Sequence, residues 1–340
     1  MTDLFVVASG LEPASVMAAV PPSCRREIDA PPPGTADGRD IVLAFPEWRP
    51  RRPALHLLPS FSMLTPAPPA FRFEVAIETA GGWSPWVATE TIGEASFSPL
   101  PGAVDGLRCD VDVFAAARPA ERVRLRLRLP VPAAATVTGA PWLVTLSAAG
   151  EHQRDDGARI GSARIQVPGL SQMEAPDAIR ARICSPTCLT MVARYWGVAA
   201  DVDAVASAVF HPRLDMYGVW PAAIRAAGAL GIGGYLLRVP DWATAAWCLD
   251  HGLPLIVSVR YTSGELTGAA IAKTDGHLLV VTGYEGDTVI VNDPAAGTRR
   301  EVERRYRLDE LRRVWLERTG VAYILFRPAP AGSGARGRRR

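Results

Sequence analysis

The pattern of hydrophobic residues changes near residue 150, and this change constrains the fold more than any other feature of the 340-residue sequence. Before it, apolar and polar residues alternate with a period of two in 71–78 and 122–129, the spacing of half-buried β-strands. Short strands between proline and glycine clusters predict an antiparallel β-sandwich over residues 39–150. Residues 1–38 end in Pro31-Pro32-Pro33-Gly34 and are interpreted as an N-terminal extension. Further strands are predicted at 40–45, 84–90, 107–114 and 141–148.

The second half mixes helical and strand patterns. A polar, glycine-containing segment at 151–163 is interpreted as a linker, and residues 164–328 as a second domain. Helices followed by an antiparallel set of strands predict an α+β domain. The basic, Pro/Gly/Ser-rich tail at 329–340 is expected to be disordered. Helices are predicted at 186–196, 202–209, 220–231 and 241–251, and strands at 253–260, 277–284, 288–292 and 321–327.

Composition argues against several classes of protein. The net charge of +2 is too small to indicate nucleic acid as a partner. No apolar run reaches the roughly 18 residues that a membrane-spanning helix needs. The five scattered cysteines do not resemble a disulfide framework, and the N-terminus lacks the basic segment of a secretory signal. We therefore expect a cytoplasmic protein without a membrane span.

Cys184 is the strongest candidate nucleophile. It precedes Pro186, a residue favoured in the first helical turn, and apolar residues at helical spacing follow. The helix dipole and free N–H groups at such a position stabilise a thiolate and lower the pKa of a cysteine. The alternative is that Cys184 is a buried small hydrophobic residue.

His277 is the best-placed base for this thiol. It opens a strand that reads as the first half of a β-hairpin, with a turn at 285–287 and a second strand ending in Asn292-Asp293-Pro294. A three-residue loop puts His277 opposite Ala295, so that Asp293 is its diagonal neighbour on the same face, about 7–8 Å away. A two- or four-residue loop reverses the parity and makes Asn292 the partner. Either side chain can orient a catalytic histidine.

The remaining site residues are less firmly indicated. Gln172, upstream of Cys184, is a candidate donor to an oxyanion together with the Cys184 backbone N–H. Its alternative role is that of a surface polar residue. The other histidines lie in less suitable contexts, and that at the predicted end of the helix 241–251 is expected to cap it; they are His56, His152, His211 and His251.

Residues 165–327 resemble the papain-like peptidases related to the bacteriocin-processing, double-glycine leader peptidases of cysteine peptidase family thirty-nine. The resemblance rests on an ordered set of segments, which are Val167-Pro168…Gln172, Cys184-Ser185-Pro186-Thr187…Tyr195-Trp196-Gly197, Gly252-Leu253-Pro254, Gly276-His277-Leu278…Gly283-Tyr284 and Val291-Asn292-Asp293-Pro294. It implies a helix packed on an antiparallel sheet. It also implies Cys184 as nucleophile, His277 as base, Asp293 as orienter and Gln172 in the oxyanion hole, without a cofactor. Ser185 stands where the leader peptidases usually have glycine, and Gln172 lies further upstream than in them.

The sequence thus predicts a cysteine peptidase that acts on a peptide or protein substrate. An inactive peptidase-like binding protein and an amide or acyl transferase with the same triad are the alternatives. A groove filled by residues 262–274 would favour the binding protein. A metal site formed by Cys184, Cys188 and His277 is a weaker alternative, because the spacing of a fourth ligand is missing.

The sandwich carries two further patterns. Trp83 and Trp86 flank a turn, and exposed tryptophans can stack on sugars, so a carbohydrate or protein contact is one reading and packing the other. Four arginines alternate along 122–128 and are interpreted as a solvated face paired with acids such as Glu74 and Glu78.

Overall fold

The computed structural model describes residues 1–151 and 161–332. Most of the predicted linker, 152–160, and most of the predicted tail, 333–340, therefore lie outside the described residues, and His152 lies there too. The N-terminal half contains the strands β1 (Thr2–Ser9), β2 (Arg25–Asp29), β3 (Gly34–Asp37), β4 (Asp40–Ala44), β5 (Ala54–Met63), β6 (Arg72–Thr79), β7 (Gly82–Trp83), β8 (Val87–Ala88), β9 (Ala103–Val104), β10 (Leu107–Asp110), β11 (Val113–Ala120), β12 (Val123–Pro130) and β13 (Trp142–Ala149), with helices α1 (Pro13–Ala18) and α2 (Ala134–Gly139).

The C-terminal half is an α+β domain, as predicted. Its strands are β14 (Ser162–Arg164), β15 (Gly233–Arg238), β16 (Leu255–Tyr261), β17 (Thr274–Glu285), β18 (Thr288–Asn292), β19 (Glu303–Arg307) and β20 (Val321–Phe326). Its helices are α3 (Cys184–Tyr195), α4 (Val202–Val209), α5 (Trp220–Ala229), α6 (Trp242–Asp250) and α7 (Leu308–Val314). Short 3₁₀ segments occur in both halves, at Pro22–Cys24, Val131–Ala133, Gln172–Glu174 and Arg299–Glu301.

Two sheets form the predicted sandwich. The inner sheet has the order β2-β1-β13-β5-β11-β10-β9, and the outer sheet the order β3-β4-β12-β6-β7, with β8 paired to β6. Their facing sides enclose an apolar core that includes Phe5 and Val7 of β1 and Phe73 of β6. The alternation seen in 71–78 and 122–129 is confirmed as the inward and outward faces of β6 and β12, which pair antiparallel.

The prediction that residues 1–38 form a separate extension is wrong. Strand β1 lies inside the inner sheet, antiparallel to β13 along its whole length. Its Leu4-Phe5-Val6-Val7 run is apolar on both faces. A strand buried on both sides shows no alternation, so its periodicity could not reveal it. The long strand β5 was also missed.

The inner sheet is the middle layer of the molecule. On its far side, Leu4 and Val6 pack with Tyr235 and Leu237 of β15 in one core shared by both halves. Helix α5 approaches β5 so closely that a Cβ on Gly228 would lie 2.5 Å from the carbonyl oxygen of Met63. Glycine is therefore required there.

The C-terminal sheet has the order β15-β20-β16-β17-β18-β19, with β14 paired to β17, and its pairs are antiparallel. Strand β15 lies at one edge, where its free N–H groups need partners. The hydroxyls of Ser60 and Ser147 accept hydrogen bonds from the N–H groups of Leu236 and Arg238. The inner sheet thus covers this edge.

The described part of the tail is ordered against the N-terminal segment. Ala331 N–H donates to the Gly10 carbonyl, and Glu12 N–H donates to that of Ala329. The expectation of disorder is therefore wrong for residues 329–331, because these backbone groups have partners near the start of the chain.

Candidate active site

Cys184 is the first residue of α3 and is half-buried. The His277 imidazole, followed by the N–H groups of Leu278 and Ser185, lowers the pKa of its thiol against the effect of burial. Helix α3 packs on β17, which carries His277. The packing of a helix terminus on a strand end therefore brings the thiol and the imidazole together.

The hairpin that carries His277 differs from the predicted one at its turn and agrees with it at its base. Glu285 pairs with Thr288, so the loop has two residues. A register shift between Val281 and Gly283 then moves β17 by one residue relative to β18. This bulge reverses the parity a second time. As a result, Asp293 and not Asn292 faces His277.

Asp293 holds the imidazole through a short hydrogen bond. His277 Nε2 lies 2.8 Å from Asp293 Oδ1, and both side chains are buried. Asn292 points elsewhere and donates to the Val167 carbonyl at 2.9 Å. The bulge thus places Asp293, and not Asn292, against the His277 imidazole.

Two further groups hold Asp293, and the sequence did not reveal the first. Tyr306 donates its hydroxyl hydrogen to Oδ2 at 2.8 Å, and the Ala295 N–H donates to Oδ1 at 3.0 Å. Tyr306 lies on β19, a strand that no prediction included. Its Glu303–Arg307 sequence carries four charged residues around one tyrosine, so it gives little sign of a strand.

At this site, burial and the neighbouring groups shift the pKa values of the side chains in opposite directions. Burial alone would raise the pKa of the Cys184 thiol, but the hydrogen bond and charge of His277 lower it below its usual value. Burial would lower the pKa of His277, but the hydrogen bond and charge of Asp293, assisted by Cys184, raise it to about 10. The pKa of Asp293 is lowered despite burial by His277, Tyr306 and Ala295. These directions favour a thiolate–imidazolium pair at neutral pH.

Gln172 contacts the segment that directly follows Asp293. Its backbone N–H donates to the Pro294 carbonyl at 2.8 Å, and its side-chain Nε2 donates to the Arg180 carbonyl at 2.7 Å. An amide nitrogen carries two hydrogens, so one donor remains. Its Oε1 is buried without a hydrogen-bond partner. The side chain is buried and is not the surface residue of the alternative reading.

Cys184 lines a cleft of about 740 Å³ between the two halves of the molecule. The C-terminal domain contributes one wall, and the β10–β11 hairpin and β5 of the sandwich contribute the other. The hairpin turn has Val111 at a φ of 61°, a costly conformation for a β-branched residue. Asp112 beside it accepts a hydrogen bond from Trp220 N–H, 2.7 Å away, at the start of α5. This bond holds the sandwich wall in place.

The other histidines have separate environments. His56 lines the cleft on the sandwich side. His211 Nε2 lies 2.9 Å from the Thr91 carbonyl oxygen. His251 follows the last residue of α6 and contacts the Trp247 carbonyl, as expected of a residue at a helix end.

The metal alternative finds no support in residues 1–151 and 161–332, where no three His, Cys, Asp or Glu side chains are grouped to hold an ion. Cys188 is fully buried and contacts the Leu278 carbonyl. It packs in the core behind Cys184.

Trp83 and Trp86, the two tryptophans of the predicted turn, are covered by arginines. Arg124 lies over the Trp83 ring at 3.8 Å from its centroid, and Arg126 over Trp86 at 3.9 Å. In the same face, Arg122 pairs with Glu78 and Arg128 with Glu74. The predicted pairing with acids is therefore seen, but the face is not solvated throughout, because Arg128 and Glu74 are buried. A guanidinium group also covers one face of the Trp83 ring and one of the Trp86 ring.

Residues 164–323 match the model of the Peptidase_C39 like family. The resemblance seen in the sequence is therefore confirmed as a match of this segment to the Peptidase_C39 like family.

Two solved structures are similar to the chain. One is a double glycine motif protease from an AMS/PCAT transporter in complex with the leader peptide, with 20% identity, 50% of this chain and 99% of that chain covered, and a TM-score of 0.34. The other is described as a C39-like peptidase from Bacillus anthracis, with 16% identity, coverage of 48% and 97%, and a TM-score of 0.38. A search of curated proteins found no match.

None of the helices in residues 1–151 and 161–332 is long and apolar enough to cross a membrane.

Proposed function

We propose that the protein is a cysteine peptidase that hydrolyses peptide bonds with Cys184, His277 and Asp293. The observation that carries the proposal is the hydrogen bond between His277 and Asp293 beside the Cys184 thiol, whose pKa the imidazole lowers and which lines the cleft. Cysteine nucleophiles need an adjacent base that is itself oriented by a third group, and this arrangement supplies both.

Cys184, His277 and Asp293 each have a defined role in the hydrolysis. The Cys184 thiolate adds to the carbonyl carbon of the peptide bond. The His277 imidazolium then gives its proton to the leaving nitrogen as the C–N bond breaks, which leaves a thioester on Cys184. A water molecule attacks this thioester, His277 accepts the proton, and the acid product leaves with the thiolate–imidazolium pair restored. Asp293 fixes the ring orientation and stabilises the imidazolium.

The oxyanion would be held by the Cys184 backbone N–H and by the remaining Nε2 hydrogen of Gln172. The first N–H groups of a helix have no partner within it, which supports the backbone donor. For Gln172 the support is its closeness to Pro294 and to the Arg180 carbonyl, in the turn before Cys184. Replacement of one such donor typically costs about 10²–10³-fold in kcat, so Gln172→Ala tests this assignment by its kcat against its KM.

The open cleft favours turnover over a binding role. The residues that line the cleft beside Cys184 are Asp275, Gly276 and Leu278, and segment 262–274 contributes none of those described. A groove filled by that segment would have supported the inactive alternative. A transferase with the same triad would pass the acyl group to an amine instead of water, and product analysis with added amines tests that outcome.

Alkylation tests the pair without a known substrate. Iodoacetamide labelling of Cys184, followed by peptide mass spectrometry from pH 4 to 9, should proceed far below the pKa of about 8.5 expected of a free thiol. The His277→Ala variant should lose this low-pH labelling. Cys109→Ala is the matched control, since burial first, then Asp112 and other nearby acids, raises the pKa of that half-buried thiol. Equal labelling of Cys184 in the native protein and in the His277→Ala variant would contradict the proposal.

Turnover is the second readout. Peptide-library cleavage, followed by mass spectrometry, should disappear in Cys184→Ala while the thermal unfolding of the variant stays cooperative. Cleavage that persists in this variant would show that the chemistry lies elsewhere.

A further inference from the structure

A row of four side chains crosses the C-terminal sheet along the floor of the cleft. Leu278 pairs with Ser258, and Arg238 pairs with Val321. The pairing of Val257 with Ala322 brings Ser258 and Val321 side by side. All four residues line the cleft. Neighbouring strands are about 4.8 Å apart, so the row runs roughly 14 Å from Leu278, beside Cys184, to Arg238.

The far end of this row has positive charge without a matching acid. Arg238 is half-buried, and within the described residues its guanidinium contacts one group, the Arg318 carbonyl at 3.4 Å. Arg260, an exposed residue of β16 two positions beyond Ser258, lines the same cleft on the strand next to β17. Its charge acts on Asp112, although no carboxylate of the described residues lies within 4 Å of its guanidinium. For the half-buried Arg238, removal of the charge from water without an ion-pair partner costs free energy, which a bound anion would recover.

The other arginines of the cleft are already paired. Arg108 contacts Asp110 at 2.9 Å, Arg182 contacts Asp215 at 2.9 Å, and Arg318 contacts Glu265 at 2.5 Å. The remaining acids of the cleft are Asp112, bound to the Trp220 N–H, and the exposed Asp275 beside His277. Arg238 is therefore the unpaired charge at the far end of the row, and Arg260 adds positive charge from the middle of the cleft.

The sandwich completes this end of the cleft. His56 of β5 faces it, and burial together with the charges of Arg238 and Arg108 lowers the pKa of His56 to about 4. A neutral imidazole at physiological pH can donate one hydrogen bond without adding charge. A positively charged pair beside a neutral donor is suited to a carboxylate.

We propose that Arg238, Arg260 and His56 form a subsite for a carboxylate of the peptide substrate, so that the sandwich and the peptidase-like domain select acidic peptides together. The inference rests on the proposed peptidase function and names its substrate class. An extended peptide rises about 3.3 Å per residue, so the row covers at most about four residues. The carboxylate therefore lies two to four residues from the bond that is cleaved.

Electrophilic peptides test the subsite without a known cleavage sequence. Chloromethyl ketone peptides carry the reactive group at their C-terminus, and bromoacetyl peptides carry it at their N-terminus, so the two series sample both sides of Cys184. In each series, Glu or Gln occupies the second, third or fourth residue counted from the reactive group. A third set of bromoacetyl peptides compares a free C-terminal carboxylate with its amide, which separates an acidic side chain from a chain end.

The readout is the rate of Cys184 labelling by each peptide, divided by the iodoacetamide rate of the same variant. At least one Glu or carboxylate peptide should label about tenfold faster than its neutral counterpart, and added salt should reduce this preference. Arg238→Gln and Arg260→Gln should each reduce it to about twofold or less. Arg39→Gln, an exposed arginine in the β3–β4 turn, is the matched control and should retain it.

Different results would contradict the peptidase function and the carboxylate subsite. If iodoacetamide does not label Cys184 selectively, the proposed peptidase function is wrong. If it does, but Glu and Gln peptides label equally or both arginine variants keep the preference, the subsite is wrong. Arg260 is exposed, so its variant carries the test even if Arg238→Gln does not fold.

Discussion

Two aspartates lie buried on opposite sides of the cleft, Asp293 in the peptidase-like domain and Asp112 in the sandwich. Asp293 accepts hydrogen bonds from His277, Tyr306 and the Ala295 N–H, and its pKa is lowered. The main external donor to Asp112 is the Trp220 N–H, and burial raises the pKa of Asp112 to about 7. The difference shows that burial sets the penalty for a charge, whereas the surrounding donors decide whether the charge persists.

The largest expected effect comes from Asp293→Asn, which removes the charge that holds His277 protonated. The pKa of His277 should fall and the Cys184 thiolate should be lost, so turnover should drop by about 10³–10⁴-fold. The pH profile of iodoacetamide labelling should move toward that of a free thiol. A variant that keeps the native labelling profile would show that Asp293 does not support the pair.

Titration of Asp112, the aspartate of the sandwich, should change the stability of the protein. The pKa of this aspartate rises from 3.8 to about 7 on folding, so the native state holds this proton more tightly than the unfolded chain. Stability should therefore fall as the pH rises from about 4 to 7, by at most about 4 kcal/mol. Asp112→Asn, which keeps an acceptor for the Trp220 N–H, should remove this loss.

The measurement is chemical denaturation of the native protein and of Asp112→Asn at pH 4 and pH 8. The variant should be the more stable protein at pH 8, with a smaller difference at pH 4. Asp110→Asn, an exposed neighbour in the same hairpin, is the control. Equal free energies of unfolding for native protein and Asp112→Asn at both pH values would contradict the comparison.

Tyr306→Phe sharpens the comparison by removing one donor from Asp293. A hydrogen bond to a charged group contributes about 1.5–3 kcal/mol, so we expect a reduction in labelling at pH 6 of roughly tenfold. Tyr195→Phe removes a hydroxyl that donates to the Gly252 carbonyl, away from the cleft, and should leave the labelling rate unchanged. If both variants behave alike, Tyr306 has a packing role alone.

The smallest effect is expected on the outer face of the sandwich, which neither aspartate reaches. Arg126→Gln removes the cation over Trp86 and should cost about 0.5–1 kcal/mol of unfolding free energy. Cleavage of a peptide library and labelling of Cys184 should stay at native values. A loss of labelling in this variant would show that the outer face communicates with the cleft.

Prediction from sequence succeeded where a local pattern repeats. The alternation in β6 and β12 and the helical spacing after Cys184 gave the sandwich, the α+β domain and the helix that begins at the thiol. It failed for β1, whose apolar residues Leu4–Val7 continue without alternation because both faces are buried, and it also missed β5. It also failed for the turn of the His277 hairpin, where a two-residue loop and a bulge together restored the expected partner.

The sequence by itself determined the classes of residue that carry the chemistry, since a cysteine before a helix and a histidine at a strand start are local features. The tertiary structure alone decided which acid meets His277, that Tyr306 supports it, and that the inner sheet serves both halves as one layer. It also decided that Arg238 and His56 share one cleft. These relations join residues far apart in the chain, and they arise from register and packing, which depend on all the contacts of the fold at once.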